Sequence, residues 1–252
     1  HKTVKGYIWL VRDPMSGREY FYWDKGSRSG EVVLKLFNGY QGALQTDGYE
    51  RYELLDGKKG IILLSCWAHA RRKFSDAIKN DRERAESALE QIQLLYEVER
   101  QIKDQALCFE EAAKLRVRLA YPIMVRFEKW LVAEHAKVIK GSPIEKAILY
   151  TYNRFNKLSR YHLDGRYNID NNGIENAARP VAVGRKNYLF CQNDTAESTA
   201  IIYSFMGCCK AAKVNFRTWM IYFLDHVHDY DQDYTRDIAE LLPDNLKDAG
   251  VL

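Results

Sequence analysis

The sequence has no long apolar run, no disulfide-type cysteine spacing and no strong excess of either charge. Among its 252 residues, no apolar stretch approaches the ~18 to 20 residues of a membrane span, and no signal peptide opens the chain. The five cysteines are an odd number without framework spacing, which favours a reducing cytoplasm. There is no internal repeat and no low-complexity tract. These absences argue against membrane-spanning and disulfide-stapled secreted proteins.

The composition is that of a folded chain large enough for one large domain or two modest ones, with 46% hydrophobic and 13% aromatic residues. The net charge of +4 is by itself a weak argument for a nucleic-acid partner. The basic residues are clustered, however, at Arg71–Lys73 and around Arg179 and Arg185–Lys186, whereas acids concentrate from Asp225 to Asp237. Two basic clusters predict an anionic partner.

Strand and turn residues dominate the first third of the chain. Residues 5–24 predict a β-hairpin, and residues 31–37 have helical apolar spacing. A short strand from Ala43 to Thr46 would place Asp47 at its carboxyl end, although Asp47-Gly48 could simply form the turn. The apolar run from Gly60 to Cys66 is typical of a strand buried on both faces.

The segment Cys66–Phe74 predicts a helix with a basic face directly after that strand. His69, Arg72 and Lys73 fall at i, i+3 and i+4 and share this face. A solvated charged surface is the alternative interpretation. Cys66 and His69 have half the spacing of a zinc site, but no second ligand pair is nearby, so structural zinc is disfavoured.

Residues 76–161 have the apolar periodicity of consecutive helices without chemistry of their own. Pro122 is expected to stop or kink one of them. Ser142, Pro143 and Glu145 form the pattern of a cap, a first-turn proline and a capping-box acid. This block is predicted to be a helical insertion or lid.

The segment from Arg166 to Phe190 concentrates an acid, asparagines and arginines in one helix-sized stretch. Asn172 suits a helix N-cap, and Glu175 could complete a capping box or pair with Arg179. Pro180 is expected to limit the helix to about two turns or to kink it, and a short aromatic strand is predicted to follow Gly184.

Two further helices are predicted after this stretch, at about residues 196–212 and from an N-cap at Asn215 to about His228. Cys208 and Cys209 fall inside the first of them and are most simply core residues.

Several blocks together resemble the catalytic domain of the insertion-sequence family numbered sixty-six, a family of DDE transposases. These blocks are L-Q-T-D-G-Y at 44–49, C-W-A-H-A-R-R-K-F at 66–74, residues 170–180, G-R-K-N-Y-L-F at 184–190 and the closing Leu241-Leu242-Pro243. The resemblance implies an α/β fold with a ribonuclease-H-like core, meaning a mixed sheet flanked by helices, together with a helical insertion and a helical C-terminal extension. In this interpretation residues 1–75 begin the core, 76–161 form the insertion, 162–190 complete the core and 191–252 form the extension.

The resemblance also implies a catalytic triad of acids that bind metal. Asp47 would correspond to the second acid and Glu175 to the third, and both would hold Mg²⁺ or Mn²⁺. The first acid would normally precede the hairpin at Tyr7 in an Asp-Glu-Thr-like context, which is not found here. The expectation is therefore that this chain is inactive by itself. The family's usual Glu-Arg pair appears as Glu175-Asn176.

The implied activity is cleavage of transposon ends and transfer of the freed 3′ ends to target DNA. Its partners would be double-stranded DNA, further copies of the chain and accessory transposition proteins, in the bacterial cytoplasm at the nucleoid and without a membrane. The implied DNA-binding residues are His69, Arg71, Arg72, Lys73, Asn171, Asn172, Arg179, Arg185, Lys186 and Asn187. The alternatives are a non-catalytic DNA-binding or assembly remnant and a generic ribonuclease-H-like nuclease.

Overall fold

A computed structural model describes the backbone of residues 5–187, 193–232 and 235–252. Side chains 185–187, 193–194 and 231–232 are outside the described residues. The structure is mixed α/β, as predicted, and mostly helical. It divides into two compact units: a central unit, Val33–Asn171, and a terminal unit formed by His1–Val32 and Asn172–Leu252. The predicted division of the chain by function stays a prediction.

The central unit contains two strands and six helices within the described residues. Its strands are β3, Gly42–Thr46, and β4, Ile61–Ser65. Helix α1, Gly30–Leu36, spans the junction of the two units, and the later helices are α2 Trp67–Ala77, α3 Arg82–Asp104, α4 Phe109–Leu115, α5 Tyr121–His135, α6 Pro143–Asn153 and α7 Phe155–Ser159. The 3₁₀ helices Glu50–Leu55 and Arg160–Leu163 complete it. The helical character predicted for residues 76–161 is confirmed.

Strands β3 and β4 pair in parallel, with Gly42 opposite Ile61 and Thr46 opposite Ser65. Their carboxyl ends therefore lie side by side. Leu63 and Leu64 are buried as predicted, but Ile62 is 41% exposed, so this strand is not buried on both faces along its length. Its buried part continues directly into α2.

The core of the central unit forms where α2 packs against α3 and α6. Trp67 and Phe74 of α2 are fully buried, and the indole N–H of Trp67 donates to the carbonyl oxygen of Leu158 at 2.9 Å. Removing a buried aromatic side chain of this kind typically destabilises a protein by about 3–5 kcal/mol. Helix α2 is thereby fixed on the inner side, which leaves its basic side chains at the surface.

A buried ion pair anchors the turn before α5. Arg116 is 3% exposed, contacts Glu99 through two hydrogen bonds of 2.8 and 2.6 Å, and also donates to the carbonyl oxygens of Tyr161 and Asp164. The residues between α4 and α5, Arg116–Ala120, form one π-helical turn. Pro122 lacks an N–H and follows at once in the first turn of α5, so the predicted break is taken up by the wider π turn.

Serine caps α6 as predicted. The Ser142 hydroxyl accepts a hydrogen bond from the N–H of Glu145 at 3.2 Å. The Glu145 carboxylate instead accepts from the N–H of Gly141 at 2.7 Å, one residue before the cap. The start of α6 is therefore well defined, which fixes the position of residues near its end.

The terminal unit pairs a hairpin with the later helices. Its strands are β1, Ile8–Arg12, and β2, Glu19–Trp23, which are antiparallel as predicted. Its helices are α8 Asn172–Asn187, α9 Asn193–Ala212, α10 Phe216–Gln232, the 3₁₀ helix Ile238–Leu241 and α11 Pro243–Asp248. β2 packs against α9, where the buried Ser204 hydroxyl accepts from the N–H of Phe21 at 2.8 Å.

A second core forms around Trp219, whose indole N–H donates to the carbonyl oxygen of Leu241 at 2.8 Å. Cys208 and Cys209 are buried, as predicted. Asn215 caps α10, as predicted, because its side-chain oxygen accepts from the N–H groups of Arg217 and Thr218.

Helix α8 differs from its prediction. Pro180 lies inside it, and the helix continues to Asn187, so the predicted limit of two turns is wrong. A proline within a helix removes one hydrogen bond and costs about 3 kcal/mol, but most helix stability comes from tertiary packing. Here α8 packs against β1, and Ala177 is buried. The predicted aromatic strand falls on residues 188–190, outside the described residues.

Candidate active site

Asp47 directly follows β3, as predicted, and its side chain is exposed. Its Oδ1 accepts a hydrogen bond from the N–H of Tyr49 at 2.9 Å, which is the local contact of an Asx turn. Its Oδ2 has no hydrogen-bond partner within the part of the chain that the structure describes. The carboxylate thus shapes residues 47–49, here called the Asp47 turn, and keeps one oxygen available to a ligand.

Gly48 is required by this turn for two reasons. Its φ of +84° lies in the left-handed region that favours glycine. A Cβ at this position would also lie 2.7 Å from the hydroxyl oxygen of Tyr150 and 3.0 Å from Nε of Arg154. The Asp47 turn is therefore in close contact with two side chains from the end of α6.

Tyr150 and Arg154 bind two successive carbonyl groups of the Asp47 turn. The Tyr150 hydroxyl donates to the carbonyl oxygen of Asp47 at 3.4 Å, and Nη2 of Arg154 donates to that of Gly48 at 3.1 Å. The Arg154 guanidinium carbon lies 4.3 Å from the centre of the Tyr150 ring, a cation–π distance. The sequence analysis did not identify either residue. Their i, i+4 spacing was the available signal, but it does not reveal partners about a hundred residues away.

Burial raises the pKa of the Tyr150 hydroxyl above the ordinary value of a phenol. The charge of Arg154 opposes this increase in pKa, and the Asp47 carboxylate adds to it. Nζ of Lys73, from α2, lies 5.5 Å from the centre of the same ring. Tyr150 is thus a neutral donor with two cations near its ring, next to the turn that carries Asp47.

The predicted basic face of α2 is at the surface. Arg72 and Lys73 are exposed and His69 is half-buried. Arg72 is close enough to Tyr150 to oppose the increase in the pKa of its hydroxyl, and Lys73 is near the Tyr150 ring. Arg71 lies on a different side of α2, where it lines an open groove with α3 residues that include Glu90. The structure therefore groups Lys73 and Arg72 with the Asp47 turn and separates Arg71 from them.

The segment that leads into α8 crosses the carboxyl ends of β3 and β4. The side-chain amide of Gln45 donates to the carbonyl oxygen of Asn168 at 2.8 Å, and the N–H of Trp67 donates to that of Ile169 at 3.1 Å. The N–H of Asn171 contacts Sγ of Cys66 at 3.4 Å. Residues 168–171 are thus fixed beside the strand ends of the central unit.

Two side chains of this segment are partly or wholly withdrawn from solvent. Asp170 accepts a hydrogen bond from the Tyr96 hydroxyl at 2.9 Å, and burial together with this carboxylate raises the pKa of Tyr96. Asn171 is 9% exposed, and its side-chain oxygen has no hydrogen-bond partner among the described residues. The predicted DNA contact of Asn171 stays a prediction.

Glu175 lies in the first turn of α8, in the terminal unit, and its side chain is exposed. Asn172 is the first residue of this helix and is also exposed. Arg179 is exposed, and its predicted pairing with Glu175 stays a prediction. The side chains of Arg185, Lys186 and Asn187, which were predicted to bind DNA, lie outside the described residues.

The chemistry of the candidate acids suits a hard divalent cation. Asp47 presents an exposed carboxylate oxygen at a strand end, and Glu175 presents its carboxylate in the first turn of a helix. Mg²⁺ and Mn²⁺ prefer such oxygens. In the described part of the chain, no group of three or more His, Cys, Asp or Glu side chains is arranged to hold a metal. The donor type fits, whereas a complete ligand set is not seen there.

Asp47 therefore presents an exposed carboxylate at a strand end, and Arg72 and Lys73 are exposed on the helix that follows the neighbouring strand. The family model described as Transposase IS66 family matches residues 1–199, and the chain therefore belongs to the IS66 family of transposases. The prediction of this family from the sequence is confirmed.

Two longer proteins of Sinorhizobium fredii are similar to almost the whole chain. Uncharacterized protein y4hP is 31% identical over 273 aligned residues, which cover 99% of this chain and 49% of that protein. Uncharacterized protein y4qI is 30% identical over 267 residues, which cover 99% and 48%. The chain thus spans about half the length of these curated relatives. No solved structure matches it. Among the described residues, no helix is both long and apolar enough to cross a bilayer.

Proposed function

We propose that the chain is the catalytic part of a DDE transposase that cuts the ends of its element and joins them to target DNA. In the first step a water oxygen attacks the phosphorus at the element end, and the 3′ oxygen leaves. The freed 3′ hydroxyl then attacks a phosphodiester of the target, whose own 3′ oxygen leaves. Membership of the IS66 transposase family supports this reaction class.

The observation that carries the proposal is the position of Asp47. It follows one of two parallel, adjacent strands, and in open α/β sheets ligands bind outside the carboxyl ends of the strands. A ribonuclease-H-like core would use this edge for its acids. Residues 168–171 lie along the same edge and lead directly into the helix that carries Glu175. We assign Asp47 and Glu175 as catalytic carboxylates.

Both carboxylates would contribute ligands to Mg²⁺ or Mn²⁺. When bound, two such ions supply charge stabilisation to the attacking and leaving oxygens of an in-line phosphoryl transfer. The protein's own task is to hold the carboxylates on rigid supports. Asp47 meets this requirement, because its turn is fixed by hydrogen bonds from Tyr49, Tyr150 and Arg154.

DNA phosphates would be bound by the exposed cations near the Asp47 turn. Lys73 and Arg72 are on the adjacent face of α2, and Arg179 with the basic residues at 185–186 belongs to the second cluster. His69, Arg71, Asn171, Asn172 and Asn187 complete the proposed set. Such contacts position a duplex without reading its sequence. A homo-oligomer holding two ends, accessory proteins and a location at the nucleoid belong to the same proposal.

The reaction is tested with the full-length product of the gene that encodes this chain. A labelled duplex carrying an element end should be nicked at the end and joined to a second duplex when Mg²⁺ is added. Salt-dependent binding with no cleavage under any condition would contradict the catalytic proposal and favour the non-catalytic DNA-binding module. Cleavage of any duplex without joining would favour a generic nuclease.

DNA binding is tested separately with Lys73→Gln in the 252-residue chain. If Lys73 contacts one phosphate, the slope of log K against log [salt] should decrease in magnitude by about 0.9. The matched control is Lys137→Gln, because Lys137 is a surface lysine that pairs with Glu134 at 2.7 Å. Fluorescence anisotropy of a labelled duplex gives both slopes. Equal slopes for the two variants would remove Lys73 from the interface.

A further inference from the structure

We propose that Tyr150 and Arg154 are positioning residues that set the orientation of the Asp47 carboxylate. The inference rests on the proposed function, because the catalytic role of Asp47 is part of that proposal. The two residues belong to the end of α6 and lie 103 and 106 residues after their partners in the sequence. They were not among the residues implied by the family resemblance.

The first step is the geometry of the backbone. Tyr150 donates to the carbonyl oxygen of Asp47 and Arg154 to that of Gly48, so two successive peptide planes are held from one side. Since a peptide unit is planar, fixing both carbonyls restricts the dihedral angles of the glycine between them. Holding the Asp47 carbonyl also limits rotation about the Cα–C bond of Asp47, and with it the direction of its Cα–Cβ bond.

The second step is the side chain itself. Oδ1 of Asp47 accepts from the N–H of Tyr49, while Oδ2 has no partner among the described residues. One oxygen is therefore used to fix the rotamer, and the other takes no part in the turn's own hydrogen bonds. A looser backbone would disturb the Tyr49 contact first, because that contact spans only two residues of the turn.

The third step is the rigidity of the support. Tyr150 is half-buried, and the centre of its ring lies 5.5 Å from Nζ of Lys73 and 4.3 Å from the guanidinium carbon of Arg154. Nε of Arg154 is buried without a hydrogen-bond partner in the described ranges, and no carboxylate there pairs with this residue. The hydrogen bond that Arg154 donates therefore goes to the Asp47 turn, and no carboxylate among the described residues competes for its guanidinium.

The direct test is amide hydrogen exchange of Tyr49 in the 252-residue chain, in wild type and in Tyr150→Phe and Arg154→Gln. Loss of the Arg154 bond should speed exchange by about 10- to 150-fold, the range expected from losing a hydrogen bond from a charged donor. Tyr150→Phe should have a smaller effect, because its 3.4 Å bond is long. Arg154→Lys should recover part of the protection.

The matched control is Arg160→Gln. Arg160 also donates to a backbone carbonyl, that of Leu63, at 2.9 Å, but on β4. Arg160→Gln should leave the amide exchange rate of Tyr49 unchanged. Unchanged Tyr49 exchange in both Tyr150→Phe and Arg154→Gln would overturn the inference. Because Tyr150→Phe keeps the ring and its packing, it remains informative if Arg154→Gln fails to fold.

The second readout separates this inference from the proposed function. In the cleavage assay, Arg154→Gln should raise the Mg²⁺ concentration needed for half-maximal rate by about tenfold, since a misoriented ligand weakens metal binding. Arg160→Gln should not. If Asp47→Asn leaves cleavage intact, the assignment of Asp47 fails. If Asp47→Asn abolishes cleavage while Arg154→Gln keeps the wild-type Mg²⁺ dependence and Tyr49 exchange, only the positioning role fails.

Discussion

Gly48→Ala is the perturbation that most sharply tests the close packing of the Asp47 turn. A non-glycine residue in left-handed backbone costs about 1–2 kcal/mol, and Gly48 has a φ of +84°. The new Cβ would lie 2.7 Å from the Tyr150 hydroxyl oxygen and 3.0 Å from Nε of Arg154, so the tyrosine hydroxyl must move away and the arginine must give way by a few tenths of an ångström. Losing the Tyr150 bond to the carbonyl oxygen of Asp47 adds about 0.5–1.5 kcal/mol. We expect a total destabilisation of about 1.5–3.5 kcal/mol.

Gly57→Ala is the matched control for this prediction. Gly57 has a similar φ of +76°, but no other atom of the described chain lies within 4 Å of a Cβ built there. It should therefore cost only the backbone contribution of about 1–2 kcal/mol. Urea unfolding followed by far-UV circular dichroism gives both free energies of unfolding. Equal losses in the two variants would refute the close contact between the Asp47 turn and the end of α6.

Two further predictions concern the buried polar groups around Arg116. Glu99→Gln should lower the free energy of unfolding by about 3–5 kcal/mol because it leaves a buried guanidinium without its counter-charge, whereas Lys114→Gln, at an exposed pair, should cost less than about 1 kcal/mol in the same urea titration. The Tyr161 hydroxyl is buried without a hydrogen-bond partner in the described ranges, so Tyr161→Phe should be neutral or stabilise by about 1 kcal/mol. Burial raises the pKa of Tyr161, so the wild-type folded state keeps a proton that the unfolded state loses above about pH 10. The free energy of unfolding of the wild type therefore falls as the pH rises above about 10. The stability advantage of Tyr161→Phe over the wild type should accordingly be larger at pH 11 than at pH 7. A smaller advantage at pH 11 would contradict this reasoning.

The strand end at Asp47 and the helical block after it were predictable because both depend on local signals. Alternating and continuous apolar runs identified β3 and β4, and the pattern of Ser142, Pro143 and Glu145 identified the start of α6. The helix caps follow the same local logic, as Asn215 shows.

The contacts that complete the candidate site were not predictable from such signals. Tyr150 and Arg154 act on residues more than a hundred positions earlier, and nothing in the helical pattern of α6 indicates that partner. Pro180 was expected either to limit its helix to about two turns or to kink it, because proline is unfavourable there locally, whereas α8 packs against β1 and continues to Asn187. Arg71 is adjacent to Arg72 in sequence, but successive residues of a helix face different directions.

The measurement that tests the central claim most directly is Mg²⁺-dependent cleavage of an element-end duplex by Asp47→Asn and Glu175→Gln. The controls are Asp76→Asn and Glu197→Gln, which alter exposed acids on α2 and α9. Each catalytic variant should lose cleavage by at least ~1000-fold while retaining DNA binding, as expected for groups required in the chemical step, and each control should cleave like the wild type. Cleavage at the wild-type rate by either catalytic variant would contradict the account.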